Sequence, residues 1–318
     1  MESSTMKKKP IVSVKDGLLR SIKWEHLVAG VSGGVVSTLI LHPLDLVKIR
    51  FQVNEGIGIT KRPQYKGLVH ALTSIARSDG FIGLYQGVTP NVWGAGISWG
   101  LYFFLYSSIK SWMQDSDSKK NLGPMMHLAV AAEAGFATLV LTNPIWVTKT
   151  RLCLQYKNST GQSPGVMYRG MADALLKIYK YEGIQGLYKG FVPGVFGISH
   201  GALQFMAYEE MKTVYNESLN QPLDSKLSSL EYITFAALSK MFAAGTTYPY
   251  QVVRSRLQDQ HRKYNGVIDV VRQIWKFERL RGFYKGMGIY VWHVTPNICI
   301  VFLLYEYITN WKTNEIRV

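Results

Sequence analysis

Long apolar stretches alternate with short polar ones along this chain. Trp24 to about Phe51 is apolar and rich in small residues, with no Asp, Glu, Lys or Arg between Glu25 and Asp45. At 1.5 Å per residue it predicts roughly 40 Å of helix, enough to cross a bilayer core of about 30 Å with tilt. Gly30 and Gly34 form a Gly-x-x-x-Gly step suited to close helix approach, and Pro43 predicts a kink near the end where bases gather. From Gly67 to Arg77, Leu68, Leu72 and Ile75 recur at helical spacing and predict a short surface helix. Gly87 to Trp112 predicts a second span, and further spans fall at 124–154, 190–215, 229–257 and 287–311, with short helices at 170–180 and 266–277. The expectation is an all-α membrane protein of six transmembrane helices in three hairpins, with both termini on one side. Few of these spans are purely apolar. Six crossings with polar faces hidden from lipid fit a closed ring around a watered path, which is the shape of a transporter.

The hairpins are copies of one unit. HPLDLVKIR, His42 to Arg50, returns as NPIWVTKTR, Asn143 to Arg151, and as YPYQVVRSR, Tyr248 to Arg256. Each copy keeps a proline, a base five positions later and another base seven positions later. Tyr65, Tyr168 and Tyr264 each open a Tyr-x-Gly triplet, and 22 residues after each tyrosine an aromatic-x-Gly triplet closes on Gly87, Gly190 or Gly286. Such a long period excludes short-repeat solenoids and predicts pseudo-threefold symmetry. The expected division is a disordered tail over 1–20 and repeats over 21–115, 121–218 and 226–313.

Composition adds charge to this picture. A mean hydropathy of +0.01 looks soluble only because polar residues are confined between the spans. A formal net charge of +15 points to an anionic partner. The bases sit at span ends and in loops, not on one face, which argues against nucleic acid. The N-terminus has no apolar run followed by a cleavage site, so it does not read as a secretory signal. Cys153 and Cys299 lack metal-ligand spacing, so no disulfide framework and no zinc or other metal site is expected. Paired carboxylates, a His-metal cluster and a phosphate-cradling glycine loop are all missing, so no enzyme and no cofactor is expected.

The proline motifs and the acid-Gly…aromatic-base-Gly segments that follow them resemble the mitochondrial carrier family. The second segment reads Asp79-Gly80 to Gly87, Glu182-Gly183 to Gly190 and Glu278-Arg279 to Gly286, with Arg279 for glycine and Gln86 for a base as departures. Trp146 and the run Thr89 to Tyr106 are similar to the branch carrying FAD, folate, NAD and pyrimidine nucleotides. The resemblance implies a monomeric carrier of the mitochondrial inner membrane, termini towards the intermembrane space, moving the anion FAD or a folate as substrate. The alternatives are pyrimidine nucleotides, NAD, or a membrane adaptor that does not transport.

It also implies site residues. A matrix gate falls on Asp45, Trp146 and Gln251 at the family's acid positions and on Lys48, Lys149 and Arg254 at its base positions, where Asp45 with Lys149 is the one complete ion pair left. A cytoplasmic gate falls on Lys110, Glu209, Lys212 and Glu306, where only Glu306 with Lys110 survives. Gates this thin predict a low barrier to the substrate-free swing, and hence uniport besides exchange, unless Trp146 and Gln251 restore strength by packing and hydrogen bonding. The family's substrate contact points transfer to Gly94, to Phe196 or Gly197, and to His293. Cardiolipin sites transfer to Gly67, Gly87, Gly170, Gly190, Gly266 and Gly286.

Counting back from the prolines places Glu133 and Lys240 at nearly one depth. Ionisable groups inside spans face cavities or one another, so these two either meet the substrate or pair across the ring. The Lys240 ammonium suits a phosphate or carboxylate. Gly94 leaves room, while Trp93, Trp99 and Phe196 offer faces for a flat heterocycle.

Overall fold

The structure, a computed structural model, describes residues 24–55, 63–114, 123–156, 166–222, 225 and 227–315. The tail 1–20 lies outside them. The elements are α1 (Trp24–Gln52), α2 (Leu68–Asp79), α3 (Val88–Met113), α4 (Pro124–Cys153), α5 (Met171–Leu187), α6 (Phe191–Phe196), α7 (Ile198–Ser218), α8 (Ser229–Gln258), α9 (Val267–Phe283) and α10 (Met287–Glu315). A 3₁₀ turn, Phe81–Tyr85, follows α2. No strand occurs among the described residues.

The six long segments are α1, α3, α4, the pair α6–α7, α8 and α10. The fourth predicted span is interrupted at Gly197, where the chain takes a tight turn, Gly197 N–H donating to Gly194 O at 2.9 Å. Pro43, Pro144 and Pro249 sit inside continuous helices. Among the described residues, two stretches are long and apolar enough to cross a membrane by composition alone, Met125–Cys153 and Met287–Leu304. The other long helices carry the polar residues of the site described below.

Each repeat packs its short helix against the proline end of its first long helix. Ala71 and Ile75, Ala174 and Ile178, and Val270 and Ile274 are the buried i, i+4 pairs that do this. Leu68 and Leu72 flank the first pair, half-buried. Among the helix pairs, the most extensive contacts join neighbouring repeats: α3 with α4, α7 with α8, and α10 with α1. The last helix therefore packs on the first, and the bundle is a closed ring.

The residue before each proline ties the repeat together. His42, Asn143 and Tyr248 are all fully buried. The His42 Nε2–H donates to Gln86 O at 2.9 Å, Asn143 Nδ2 to Leu187 O at 2.9 Å and the Tyr248 hydroxyl to Lys285 O at 3.1 Å. Three different side chains do one job: each reaches a carbonyl in the segment that leads into the next long helix of its own repeat.

Candidate functional site

The functional residues lie in layers at the proline end. In the upper layer, the even-numbered spans set one residue against the segment just after a proline on the neighbouring repeat. A Cβ on Gly94 would stand 3.0 Å from Ile145 and 3.6 Å from the Trp146 indole. A Cβ on Gly197 would stand 2.9 Å from the Tyr250 ring. The expected room at Gly94 is thus filled by protein, since Ile145 and Trp146 occupy it. Gly197, not Phe196, is the residue turned toward the neighbouring repeat, because Phe196 is 65 % exposed. Trp93 and Trp99 are likewise exposed, as is Trp292. Trp93, Phe196 and Trp292 immediately precede Gly94, Gly197 and His293, so they occupy equivalent, exposed places rather than the contact layer.

The third position differs in chemistry. His293 lies within electrostatic reach of Asp45, Lys48, Lys149 and Lys240. Lys240 in turn lies near Lys48 and His200, whose Nδ1 bonds the Thr247 hydroxyl at 2.8 Å. Lys240 precedes Gln251 by 11 residues, about 20° around an ideal helix, so it shares the gate's face. Glu133 precedes Trp146 by 13 residues, about 220° around, and is exposed. Among the described residues, Glu133 makes no hydrogen bond or ion pair with Lys240. The pairing considered for them is not formed, and only Lys240 joins the cluster.

Next comes the gate layer. Asp45 accepts Lys149 Nζ at 2.5 Å from the neighbouring repeat and Lys48 Nζ at 2.7 Å from one turn along its own helix. Where the second and third carboxylates would stand, other contacts are made. Lys149 Nζ lies 5.3 Å from the Trp146 ring centre, Lys48 Nζ lies 5.5 Å from that of Tyr290, and Arg254 Nη2 donates to Asn143 Oδ1 at 3.2 Å. Two ion pairs that share Asp45, one of them between repeats, one hydrogen bond and two cation–π contacts hold this level.

A third layer escaped the sequence reading. Arg50, Arg151 and Arg256, the second base of each proline motif, are essentially unexposed. Each donates Nε to a main-chain carbonyl of the neighbouring repeat at 3.0 Å: Arg50 to Cys153, Arg151 to Gln258 and Arg256 to Gln52. Their remaining donors turn toward the acid that stands just before the break in each short helical segment. Arg256 forks onto Glu278 at 2.7 and 2.9 Å, Arg151 forks onto Glu182, and Arg50 stands 3.6 Å from Asp79 and bonds Gln86 Oε1 instead. Burial works against charge on Glu182, but the bonds from Arg151 and Lys189 prevail and hold its carboxyl down to about 2. Burial is likewise outweighed at Glu278, where Arg256 and Lys285 lower the carboxyl below its ordinary value. The signal was available: a base seven residues after each proline, three times over, with an acid at the end of each short helix.

The two sets of motif glycines behave differently. Gly87, Gly190 and Gly286 take φ of +82°, +74° and +84° and press on the neighbouring repeat, where a Cβ would come within about 3 Å of the carbonyls of Lys149, Arg254 and Lys48. Close packing explains these three. Gly67, Gly170 and Gly266 precede α2, α5 and α9, have open space beside them, and leave those helix starts without a side-chain cap. At the opposite end of the ring, Lys110, Glu209 and Lys212 are half-buried and form no ion pair among the described residues. The Glu306 side chain lies outside the described set.

The arrangement is a ring closed at its proline end, with surplus cations and aromatic rings on the floor. Comparison with known proteins agrees with that description. A sequence model of the family described as mitochondrial carrier protein matches residues 21–117, 120–219 and 225–315. Folate transporter 1, chloroplastic, of Arabidopsis thaliana is 41 % identical over 297 residues, covering 90 % of this chain and 94 % of the relative. Nicotinamide adenine dinucleotide transporter 1, chloroplastic, of the same plant is 35 % identical over 298 residues, covering 92 % and 93 %. The mitochondrial FAD carrier protein FLX1 of Saccharomyces cerevisiae is 32 % identical over 304 residues, covering 89 % and 95 %.

Proposed function

The chain belongs to the mitochondrial carrier family, and from that membership we propose that it moves FAD or a folate across the mitochondrial inner membrane by alternating access. The observation that supports this reading best is the floor of the ring. One carboxylate, Asp45, sits between Lys48 and Lys149 with His293 beside them, Lys240 stands near Lys48 and His293, and the rings of Trp146 and Tyr290 lie against two of the ammonium groups. A substrate with an anionic end and a flat aromatic end matches that division. Lys240 and His293 take the anion, and Gly94 and Gly197 serve the fit by letting Trp146 and Tyr250 into the floor. On this reading Asp45, Lys48, Trp146, Lys149, Gln251 and Arg254 close the matrix side, and Lys110, Glu209, Lys212 and Glu306 close the other. The protein acts as a monomer with both termini in the intermembrane space, and cardiolipin phosphates sit at the open helix starts behind Gly67, Gly170 and Gly266.

Thermal unfolding of the detergent-purified protein tests the substrate, with FAD, FMN, tetrahydrofolate, NAD, pyrimidine nucleotides and inorganic phosphate compared. A ligand that binds only the folded protein adds about 2.7 kcal/mol at a hundred times its dissociation constant. Selective stabilisation by FAD or tetrahydrofolate is the expected result, with Lys240→Gln reducing it. Selective stabilisation by NAD, which the names of two relatives make the second reading, would replace the first. No response to any of them would overturn both.

A further inference from the structure

Each repeat breaks its short helix at one residue with left-handed backbone. Gly80 takes φ 75°, ψ 176° and Gly183 takes φ 67°, ψ −163°, but the third repeat places Arg279 there at φ 53°, ψ −148°. Only glycine adopts this region without strain, because a Cβ crowds the flanking peptide groups. The conformation is imposed from both sides. Glu278, just before the break, is clamped by Arg256 and Lys285, and Tyr284 to Gly286, just after it, is packed on α1 and α8. The strain therefore stays with whatever residue stands at 279.

No contact among the described residues compensates for it. The Arg279 side chain is exposed, and among the described residues it makes no hydrogen bond, ion pair or ring contact. Its surroundings are particular to the third repeat. Arg272, Lys276 and Arg281 accompany it in α9, interleaved with Trp275, Phe277 and Leu280, all exposed. The corresponding helices are less basic: α5 carries Lys177 and Lys180, and α2 carries Arg77. The opposite face of α9 buries Val270 and Ile274 against Val252 and Val253, in the last two turns of α8. The outward face thus lies level with the end of a long helix, where hydrocarbon gives way to head groups. Aromatic and aliphatic side chains that enter the acyl boundary, with bases between them, complement an anionic bilayer surface.

We propose that Arg279 and the basic outer face of α9 form a phospholipid site, in which the guanidinium binds the phosphodiester of an anionic lipid and repays the backbone strain. The site is separate from the motif glycines and does not rest on the transport reading. Substrate-induced stabilisation should be the same in wild type and in Arg279→Gly.

Unfolding midpoints of the full chain, purified in neutral detergent, test the proposal with no lipid, phosphatidylcholine, phosphatidylglycerol or inorganic phosphate added. In lipid-free detergent, Arg279→Gly should melt about 2 °C or more above wild type, because the strain is gone. The same variant should lose at least half of the rise that phosphatidylglycerol gives wild type, and Arg279→Lys should keep most of it. Arg272→Gln combined with Lys276→Gln, which leaves the strained backbone alone, should also cut that rise. An equal phosphatidylglycerol effect in wild type and Arg279→Gly, or an undiminished one in the double variant, overturns the site. So does a glycine variant that fails to gain stability without lipid. Equal effects of the two lipids overturn the anionic assignment, and a rise reproduced by inorganic phosphate overturns the lipid in favour of a free anion.

Discussion

Arg50 and Cys153, 103 residues apart, are joined by a 3.0 Å bond from the guanidinium Nε to a main-chain carbonyl. The same bond recurs between Arg151 and Gln258 and between Arg256 and Gln52. These bonds link all three repeats in the layer next to the gate, so the arginine ring shares in closing the proline end. Arg256→Gln should cost about 3–5 kcal/mol, because it leaves Glu278 buried without its main partner. Arg50→Gln should cost less, since Asp79 is not within hydrogen-bond distance of Arg50. Thermal unfolding of both variants measures the order, and equal losses would contradict the difference in their carboxylate partners.

Gate strength has its own test in Gln251. Lys48 turns to Asp45 of its own helix because α8 presents an amide where the family pattern has an acid. Gln251→Glu supplies a carboxylate from the neighbouring repeat and should slow efflux from preloaded liposomes into substrate-free buffer, while exchange persists. Unchanged efflux would mean that the layers below set the barrier. Asp45→Asn should weaken closure, since it leaves Lys48 and Lys149 without their shared partner.

Gly197 tolerates no side chain as the ring stands. Gly197→Ala forces a methyl to within 2.9 Å of both the Tyr250 ring and Gly194 O, and should cost about 1–3 kcal/mol. Combining it with Tyr250→Leu should recover part of that loss in unfolding measurements. Phe196→Ala, on the exposed side, should cost much less, and a larger cost at Phe196 would reverse the assignment of the two positions.

Glu182 ties stability to acid. Its folded carboxyl is held near 2, below the ordinary 4.5, so the unfolded chain binds this proton first. The contribution is complete above about pH 4.5 and is lost as pH falls toward 2. Wild type should therefore show a falling unfolding midpoint across that window. Glu182→Gln should start lower and fall less steeply, and parallel curves would show that the Arg151 pair does not contribute in this way.

The repeat and the number of long helices were legible because periodicity and spacing record them directly. The buried pairs Ala71–Ile75 and Val270–Ile274 follow from the same helical spacing that predicted the short helices. What lay beyond reach depended on which side of a helix meets the ring's interior. An aromatic such as Trp93 looks alike in a one-dimensional pattern whether it faces a cavity or the exterior. Gly94 and Gly197 showed where side chains were missing, but not that Trp146 and Tyr250 fill the space. Glu133 and Lys240 seemed equivalent by depth and separate only by angle. The arginine layer was missed for another reason: the motif displays its bases side by side, and only three-dimensional packing shows that the first faces the floor and the second the neighbouring repeat.

The seam between α10 and α1 carries a consequence for how the molecule is made. Every other extensive seam joins elements close in sequence, but this one joins the first long helix to the last. During synthesis α1 must wait through the four long segments in between with the carbonyl of Lys48 uncovered by Gly286, and closing that loop is the slowest and most entropically costly contact available to the chain. Until α10 arrives, the first repeat has a neighbour on one flank only. A chain stopped before α10 would have most of its helices and no ring, so quality control acting on this protein has one event to monitor, the arrival of its C-terminal helix.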